Sequence, residues 1–415
     1  MRRIAAVLLA VCLLTGCGAG QTASKSEEKK TVLTYMVQSY GGEAGIQEET
    51  LALLKKLYPD IELQIITYSE EQYYAVLRAK LATGKGPDLF DVQPQYSGTN
   101  GVSTLAEAGY LASVTDWECI RNRSSEDDSL MKYEGEVYSV SQGRMALGVL
   151  YNKTLFSELG LEWPGCWEEF LECCEMLKAC GVQPLIQNGK NNSAYQYGLY
   201  QIAANRIYPV IPEYDAQVRE GMRKFTDKGT WDTVLQMYSS LFSLGYIPEE
   251  SFQLTEKDVL GRMKSRKAAM IFTESGQVMQ SIKELEESGD SYGFCALPAN
   301  KRGENTYWSM GNYRGIGVYA ETEKLEECKE ILSAVFWNRE HGNYESWSAM
   351  QRQQYKEVFQ ELNQAEKAQN YIPVCNQEWN NEVEVVMEKL VIDYLTGGEV
   401  TIEAITSAMQ EELDR

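Results

Sequence analysis

The segment from residue 55 to residue 92 constrains the fold most strongly; it reads KKLYPDIELQIITYSEEQYYAVLRAKLATGKGPDLFDV. Ile61, Leu63 and Ile65 alternate with polar residues, which is the period-two pattern of a β-strand. Apolar residues then recur at helical spacing from residue 73 to residue 81. The segment therefore predicts a strand that is followed by an amphipathic helix.

Glycine and proline mark the end of this helix and the start of a second strand. Gly84 and Gly86 stop the helix, and Pro87 prevents its return because proline cannot continue the helical hydrogen bonds. Residues 88–92 (DLFDV) predict the second strand. A strand–helix–strand unit favours a parallel sheet, and ligands of such sheets bind beyond the carboxyl ends of the strands. The loop at residues 93–97 is therefore the first expected ligand-binding segment.

Size and charge limit the classes of protein to which the chain can belong. Its 415 residues are enough for two lobes of ordinary size, and an apolar content of 44% supplies a packed core. The formal net charge is −21, and loss of Arg2 and Arg3 with a leader leaves 37 basic against 60 acidic residues, or −23. This charge argues against nucleic acid or an anionic membrane surface as a partner.

The N-terminus has the features of an export signal followed by a lipid attachment site. A basic start precedes an apolar run at residues 4–14, which is too short to span a membrane comfortably. The sequence Leu-Thr-Gly-Cys resembles the bacterial lipobox, which implies a signal peptide at residues 1–16 and a lipid anchor on Cys17. An ordinary signal peptide with a chance cysteine is the alternative. The composition of residues 17–30 predicts a flexible tether.

Short motifs along residues 31–415 resemble the extracellular solute-binding proteins of family 1, which are the sugar receptors of ABC importers. The motifs are residues 58–61 (YPDI), 81–84 (LATG), 87–90 (PDLF), 105–111 (LAEAGYL), 151–153 (YNK), 267–270 (KAAM) and 308–318 (WSMGNYRGIGV). Their common order along the chain supports the resemblance more than any one of them does. One departure is Gln277, which stands where the family's motif continues with tryptophan.

The resemblance implies an α/β fold of the type II periplasmic-binding-protein kind, with two lobes joined by hinge strands around a ligand cleft. The expected boundaries place residues 31–144 and 273–318 in lobe one, and residues 145–272 and 319–415 in lobe two. Gly315 and Gly317 are expected to absorb backbone change as the lobes close. A bound sugar is expected to favour the closed form, which a membrane permease of the ABC importer would recognise.

The chemistry of sugars indicates which side chains to consider. Sugars offer apolar C–H faces to aromatic rings, and a rim of hydroxyls to amide, carboxylate and guanidinium groups. We expect the ligand to contact polar and aromatic residues at strand ends, namely Gln38, Ser39, Tyr40, Asp91, Gln93, Gln95, Tyr96, Gln142, Arg144, Tyr195, Glu274, Trp308, Asn312, Tyr313 and Trp379. Asp88 is assigned to structure because it begins its strand.

Three rings are expected to stack on the sugar. Trp308, Tyr313 and Trp379 lie in segments that resemble ligand-facing segments of the family. The alternative for Trp379 is a structural role, in which the ring staples a helix onto the fold.

The sequence contains no recognisable catalytic or metal-binding motif. His341 is the single histidine, so a zinc-binding histidine pair is excluded, and neither a GxSxG motif nor a phosphate loop is present. The prediction is a monomeric binding protein without cofactor or metal. Two alternatives remain open. One is a receptor of the same fold for a polyamine, amino acid or metal chelate. The other is a secreted enzyme or an adhesion lipoprotein; in a glycan-active enzyme, two carboxylates would have to lie about 5 to 9 Å apart.

The cysteines leave disulfide formation open. Export permits disulfides, but the chain lacks a C-x-x-C pattern typical of zinc or redox sites. Pairing and buried free thiols are both compatible with the eight cysteines that follow Cys17, which are Cys119, Cys166, Cys173, Cys174, Cys180, Cys295, Cys328 and Cys375.

Overall fold

The structure is a computed structural model that describes residues 30–39, 48–94, 100–121, 129–190, 194–312, 314–340, 349–373, 379 and 381–415. Its strands are β1 Thr31–Ser39, β2 Ile61–Ser69, β3 Leu89–Val92, β4 Lys132–Tyr133, β5 Glu136–Val137, β6 Ser139–Ser141, β7 Arg144–Asn152, β8 Gln183–Ile186, β9 Ala268–Glu274, β10 Tyr292–Cys295, β11 Trp308–Asn312, β12 Gly315–Val318 and β13 Tyr371–Ile372. Its helices are α1 Glu48–Leu57, α2 Glu70–Ala82, α3 Val102–Glu107, α4 Glu118–Arg121, α5 Lys153–Glu158, α6 Trp167–Ala179, α7 Ala194–Arg206, α8 Tyr214–Arg219, α9 Trp231–Ser243, α10 Glu256–Lys264, α11 Ser275–Leu285, α12 Leu325–Glu340, α13 Ala349–Val358, α14 Gln360–Lys367, α15 Asn381–Leu395 and α16 Ile402–Leu413.

The predicted strand–helix–strand unit is formed by β2, α2 and β3. The first strand, β1, lies between β2 and β3 and pairs in parallel with both, with Thr31 opposite Ile61 and Tyr35 opposite Leu89. The three strands therefore run in one direction, which confirms the predicted parallel sheet.

Sheet one has the strand order β2-β1-β3-β12-β6, and β12 runs antiparallel to both of its neighbours. One face buries Leu33 and Tyr35 together with side chains of α1, α4 and α12. The other face buries Met36 and Phe90 together with side chains of α2 and α3. Sheet one is therefore the middle layer between two layers of helices.

Sheet two has the strand order β13-β11-β7-β9-β8, and β10 also pairs with β7. One face buries Val149 and Leu185 against α6, α7, α9, α15 and α16. The other face buries Leu150 and Ile271 against α10, α11, α13 and α14. Two helix-covered sheets, each with its own core, confirm the predicted two-lobed α/β class.

The chain passes from sheet one to sheet two between Ser141 and Arg144, which is the first crossing, and returns between Asn312 and Gly315, which is the second crossing. The predicted return to lobe one at residue 273 is wrong. The reason is that β9 continues past this point while hydrogen-bonded to β7, and β10 and β11 then join the same sheet.

The segment after β12 also differs from the predicted division. Helix α12 was assigned to lobe two, but Cys328, Ile331 and Leu332 are buried in the core of sheet one. Helices α13 and α14 contact β10 and so belong with sheet two. The chain therefore changes lobe again between α12 and α13, along residues outside the described ranges.

Close strand packing explains the two glycines of β12. A Cβ atom on Gly315 would collide with the Ser139 hydroxyl, and one on Gly317 would lie 2.5 Å from a methyl carbon of Leu111. Any larger side chain would therefore push β12 away from its neighbours. The additional role of these glycines in backbone motion stays a prediction.

Among the cysteines within the described ranges, six are free thiols, namely Cys166, Cys173, Cys174, Cys180, Cys295 and Cys328. Of the two alternatives, the described residues thus support free thiols. Cys375 lies outside the described ranges, as do Cys17 and residues 1–29. Among the helices that are described, none has the length and apolar character needed to cross a membrane.

Candidate functional site

Both crossings join each sheet at one of its edges. These two edges carry most of the predicted site residues. In sheet one, Gly315 lies opposite both Val92 and Ser141, so the ends of β3 and β6 lie beside the second crossing. In sheet two, Arg144 lies opposite Asn312, so both crossings enter this sheet side by side. We call these the crossing edges of sheet one and sheet two.

Asp91 is the centre of a buried polar cluster at the crossing edge of sheet one. Its Oδ1 accepts hydrogen bonds from the Tyr35 hydroxyl at 2.7 Å and from Gln142 Nε2 at 3.2 Å. Its Oδ2 accepts from the Gln38 amide N–H at 3.1 Å and from Arg314 Nη1 at 3.3 Å. We call these five residues the Asp91 cluster. Because the protein itself supplies four donors to the Asp91 carboxylate, this side chain organises the edge. Contact of Asp91 and Gln142 with a ligand stays a prediction.

Arg314 also fixes the side chain of Gln38. Arg314 Nη1 and the Tyr74 hydroxyl each lie 3.1 Å from Gln38 Oε1. Because arginine can only donate, this oxygen must be the acceptor, and Gln38 Nε2 is left as the donor. That nitrogen is buried and has no partner within the described part of the chain. A buried donor without a partner costs about 1 to 3 kcal/mol, so an oxygen atom that reached it would be bound favourably.

Helix α2 ties the ends of β1 and β3 together. The Tyr73 hydroxyl donates to the carbonyls of Met36 and Asp91 at 3.1 and 2.8 Å. Burial raises the pKa of Tyr73 well above its usual range, so this hydroxyl keeps its proton. Gln93 Nε2 donates to the hydroxyl of Tyr74. The predicted site residue Gln93 therefore lies at the crossing edge with one of its donors engaged.

At the crossing edge of sheet two, an arginine lies over an aromatic ring. Arg144 Nη1 donates to the Tyr371 hydroxyl at 3.2 Å, and the guanidinium carbon is 5.6 Å from the centroid of the Tyr371 ring. Both side chains are partly exposed. A partly exposed ring beside a guanidinium group is an arrangement that suits a ligand with apolar faces and a rim of hydroxyls.

Glu274 brings a carboxyl group to the same edge. It ends β9 and caps α11, where its Oε2 accepts from the Gly276 N–H at 2.7 Å. Burial raises the pKa of Glu274 to about 7, while the Gly276 hydrogen bond and the positive charge of Arg314 act in the opposite direction. The predicted start of the lobe-one segment at residue 273 would place Glu274 in lobe one, but β9 keeps it in sheet two. The end of this strand nevertheless brings its carboxyl within electrostatic reach of Arg314.

Two predicted ligand-binding rings belong to the core of sheet two. Tyr195 is 1% exposed, donates to the Gly189 carbonyl at 3.3 Å and stacks on Phe252. Trp308 is 4% exposed and packs against Phe294 with ring centroids 5.2 Å apart. The predictions that these rings contact ligand are corrected, because their positions in α7 and β11 direct them into hydrophobic cores.

Trp379 is the third correction. It is fully buried and makes edge-to-face contacts with Phe225 and Trp231, at centroid distances of 4.8 and 5.3 Å. Its Nε1 lies 3.3 Å from Asp215 Oδ1, to which it donates. The structure thus favours the alternative in which Trp379 is a structural residue.

The remaining predicted site residues are described in part or not at all. Tyr40, Gln95, Tyr96 and Tyr313 lie outside the described residues. Only the backbone is described for Ser39, which ends β1, and for Asn312, which ends β11. Their contact with a ligand stays a prediction.

Arg314 and Tyr371 are not among the site residues predicted from the sequence. Arg314 is the one charged residue in the segment 308–318, which is otherwise aromatic, small or apolar, and a buried charge there was a usable signal. Tyr371 opens the segment 371–379, which was considered only for its tryptophan. Only the structure reveals these two residues, because the side chains that they contact are distant in sequence.

The described site offers hydrogen-bond donors and acceptors rather than reactive groups. Within the described ranges, no group of three histidine, cysteine, aspartate or glutamate side chains is placed to hold a metal ion. The polar groups at the two crossing edges are the buried Gln38 donor, the partly exposed Arg144–Tyr371 pair and the buried Glu274 carboxyl. This set can bind a polar, hydroxyl-rich molecule.

Two known proteins of similar sequence are sugar-binding proteins by name. The chain is 24% identical over 342 residues to the multiple sugar-binding protein of Streptococcus mutans, which covers 80% of this chain and 77% of the relative. It is 21% identical over 334 residues to the melibiose/raffinose/stachyose-binding protein MelE of Bacillus subtilis, covering 78% and 74%. The fold is similar to that of a chitin oligosaccharide binding protein, with a TM-score of 0.74, 19% identity and coverage of 93% of this chain and 98% of the other.

The family match spans most of the chain and both sheets. Residues 38–339 match the family described as bacterial extracellular solute-binding protein. The matched range includes both crossings and four of the five residues of the Asp91 cluster, all except Tyr35. The chain therefore belongs to the family of bacterial extracellular solute-binding proteins.

Proposed function

We propose that the protein is the receptor of an ABC importer, that it binds a carbohydrate between its two crossing edges and that it delivers this ligand to a membrane permease. The observation that carries the proposal is that polar groups gather where the two crossings join each sheet, in a chain of the solute-binding family. The names of its relatives, which refer to sugars and to binding, support a carbohydrate ligand and a receptor rather than an enzyme.

The polar groups at the two crossing edges suit a neutral, hydroxyl-rich ligand. Gln38 supplies a donor, and the Glu274 carboxylate supplies acceptors for hydroxyl hydrogens. Tyr371 supplies a ring edge, and the positive charge of Arg314 is already balanced by Asp91 in the buried pair. A charged solute such as a polyamine would need further unpaired charges at these edges. The balance of groups therefore favours an oligosaccharide over the alternative solutes.

A ligand that contacts both edges would stabilise a closed arrangement of the lobes. The free energy of binding then depends on contacts that exist only when the lobes are closed. This gives the permease a structural difference by which a loaded receptor can be told from an empty one.

The proposal is tested by screening the protein from residue 18 onward for ligand-induced stabilisation. Raffinose, stachyose, melibiose and triacetylchitotriose form the sugar panel, and spermidine and free amino acids form the comparison panel. A sugar at about 100 times its Kd should stabilise the protein by about 2.7 kcal/mol, which raises the melting temperature by several degrees. Stabilisation by the comparison panel alone would contradict a carbohydrate ligand. Release of monosaccharide from the panel would contradict a receptor without catalysis.

Glu274→Gln provides a residue-level test of the same proposal. The substitution keeps the size of the side chain but removes a charge-assisted acceptor, and we expect the Kd for the bound sugar to rise about tenfold. Glu284→Gln, on the exposed last turn of α11, is the control and should bind as the wild type does. Equal affinities for all three proteins would remove Glu274 from the site.

We also propose that Cys17 carries a lipid that holds the receptor at the outer face of the cell membrane. The family's extracellular location and the Leu-Thr-Gly-Cys motif support the proposal. Mass spectrometry of the membrane-extracted protein should show a diacylglyceryl group on Cys17, and Cys17→Ser should release the protein from the membrane. A mature chain that begins elsewhere without a lipid would contradict it.

A further inference from the structure

One carboxylate holds both the first and the second crossing, which are two of the segments that connect the two sheets. Asp91 accepts a hydrogen bond from the Gln142 side chain, in the first crossing, and another from the Arg314 side chain, in the second. It also accepts from Tyr35 and from the Gln38 backbone, which anchors it to β1. Two segments that are 172 residues apart in the chain (314 minus 142) are therefore bound to the same end of β3.

The crossings are also bonded to each other at this point. The Gln142 amide N–H donates to the Arg314 carbonyl at 2.8 Å. This backbone bond lies directly beside the Asp91 carboxylate, to which both side chains donate. Its lifetime therefore depends on how firmly the two side chains are held.

The pair of Asp91 and Arg314 is buried, which makes its geometry costly to disturb. The side chains are 5% and 7% exposed, and the charged atoms are 3.3 Å apart. Breaking a buried ion pair leaves a charge without compensation in a medium of low dielectric constant. The pair is therefore expected to keep one arrangement rather than to fluctuate.

The Arg314 guanidinium also interacts electrostatically with a carboxyl group of sheet two. Glu274 ends β9 of sheet two, and its carboxyl is within electrostatic reach of the Arg314 guanidinium. Asp91 attracts the same cation from sheet one. A ligand that binds Glu274 would alter the balance between these two attractions.

We propose that Asp91 and Arg314 are hinge-positioning residues, which hold both crossings against sheet one and set the resting angle between the lobes. They act through the crossings and not by direct contact with ligand. The part of the inference that concerns affinity rests on the proposed function, whereas the part that concerns the crossings does not.

The chain offers a matched control in Asp88, which lies at the opposite end of β3. Asp88 Oδ2 accepts from the Thr34 amide at 2.8 Å and from Lys324 Nζ at 3.1 Å, and its Oδ1 accepts from the Thr322 hydroxyl at 2.7 Å. It is a part-buried aspartate with several donors, one of them a cation, and it touches neither crossing. Asp91→Asn and Asp88→Asn thus make the same chemical change at the two ends of one strand, and only the first change affects the crossings directly.

The experiment is hydrogen exchange of the full-length protein without ligand, followed by mass spectrometry. In Asp91→Asn we expect amide exchange to become about tenfold faster in the peptides covering residues 139–146 and 312–318 together. In Asp88→Asn we expect faster exchange near Thr34 and Thr322 and unchanged exchange in the two crossing peptides. Unchanged crossing peptides in Asp91→Asn, or an equal change in both variants, would overturn the proposal.

Gln142→Leu keeps the test decisive if Asp91→Asn does not fold, because it removes one bond to Asp91 without leaving a charge unpaired. We expect about threefold faster exchange in the crossing peptides of this variant. Unchanged exchange there would overturn the proposal.

Affinity for raffinose, stachyose and triacetylchitotriose is measured on the same proteins. We expect Asp91→Asn to weaken binding about tenfold and Asp88→Asn to leave it unchanged. If no sugar binds the wild type, the proposed function fails and the exchange result still decides the hinge inference. If the wild type and both variants bind equally, the coupling of the crossings to affinity is refuted.

Discussion

Trp379→Ala is expected to lower the free energy of unfolding by about 3 to 5 kcal/mol, which is the range for removing a large ring from a packed core. Trp379 is fully buried, and its ring contacts Phe225, Trp231 and Tyr200, which come from three other parts of the chain. Alanine would leave a cavity that these rings cannot fill without leaving their own positions. Chemical denaturation of the empty protein measures the effect.

Affinity for sugar provides the contrasting measurement for the same variant. We expect it to remain within about twofold of the wild type under conditions where both proteins are folded, because Trp379 lies in the core of sheet two. Trp379→Phe is the control, since it keeps one aromatic ring in the core while removing the hydrogen bond to Asp215 and part of the indole, and it should cost less than Trp379→Ala. If Trp379→Ala had an unchanged melting temperature but lost its affinity for sugar, Trp379 would be a ligand-binding residue and not a core residue.

Asp215 is expected to make the stability of the protein fall as the pH rises. Burial raises the pKa of Asp215 to about 8, although hydrogen bonds from Tyr208 and Trp379 oppose the rise. The folded protein therefore keeps a proton at pH values where the unfolded chain, with a pKa of about 3.9, has lost it. The contribution of Asp215 to the free energy of unfolding is therefore fully present below pH 3.9. It is lost as the pH rises to 8, since ionisation favours the unfolded state across this window.

Asp215→Asn should remove this dependence. Between pH 4.5 and pH 9 we expect the wild type to lose about 2 to 4 kcal/mol more of its free energy of unfolding than the variant loses. The acidic net charge of the chain also reduces stability at high pH, but it affects both proteins and cancels in the comparison. Asp116→Asn, at an exposed position, serves as the control and should follow the wild-type profile. Parallel profiles for all three proteins would show that Asp215 is ionised in the folded state.

The elements that depend on local pattern could be predicted from the sequence. Strand β2, helix α2 and strand β3 were expected from alternation, helical spacing and the breakers Gly84 and Pro87. Their assignment succeeded because backbone preferences and the amphipathic period act over a few residues. The family motifs extended this local information to the fold class, since their order along the chain is specific.

The placement of the later segments was decided by tertiary structure. The local sequence of β9 does not specify β7 as its partner, and the local sequence of α12 does not specify that its apolar face covers sheet one. Both choices depend on hydrogen bonds and buried contacts between segments that are far apart in the chain. The lobe boundaries predicted after residue 273 failed for this reason.

The same distinction separates the ligand candidates from the structural residues. The sequence by itself determined that Gln38, Asp91 and Glu274 stand at strand ends, because strand ends follow from the local pattern. Only the tertiary structure decided that Asp91 is saturated by donors from both crossings and that Trp379 is enclosed by α7, α9 and Phe225. A side chain becomes available to a ligand only when no distant part of the chain satisfies or covers it, and that condition is set by packing and not by residue type.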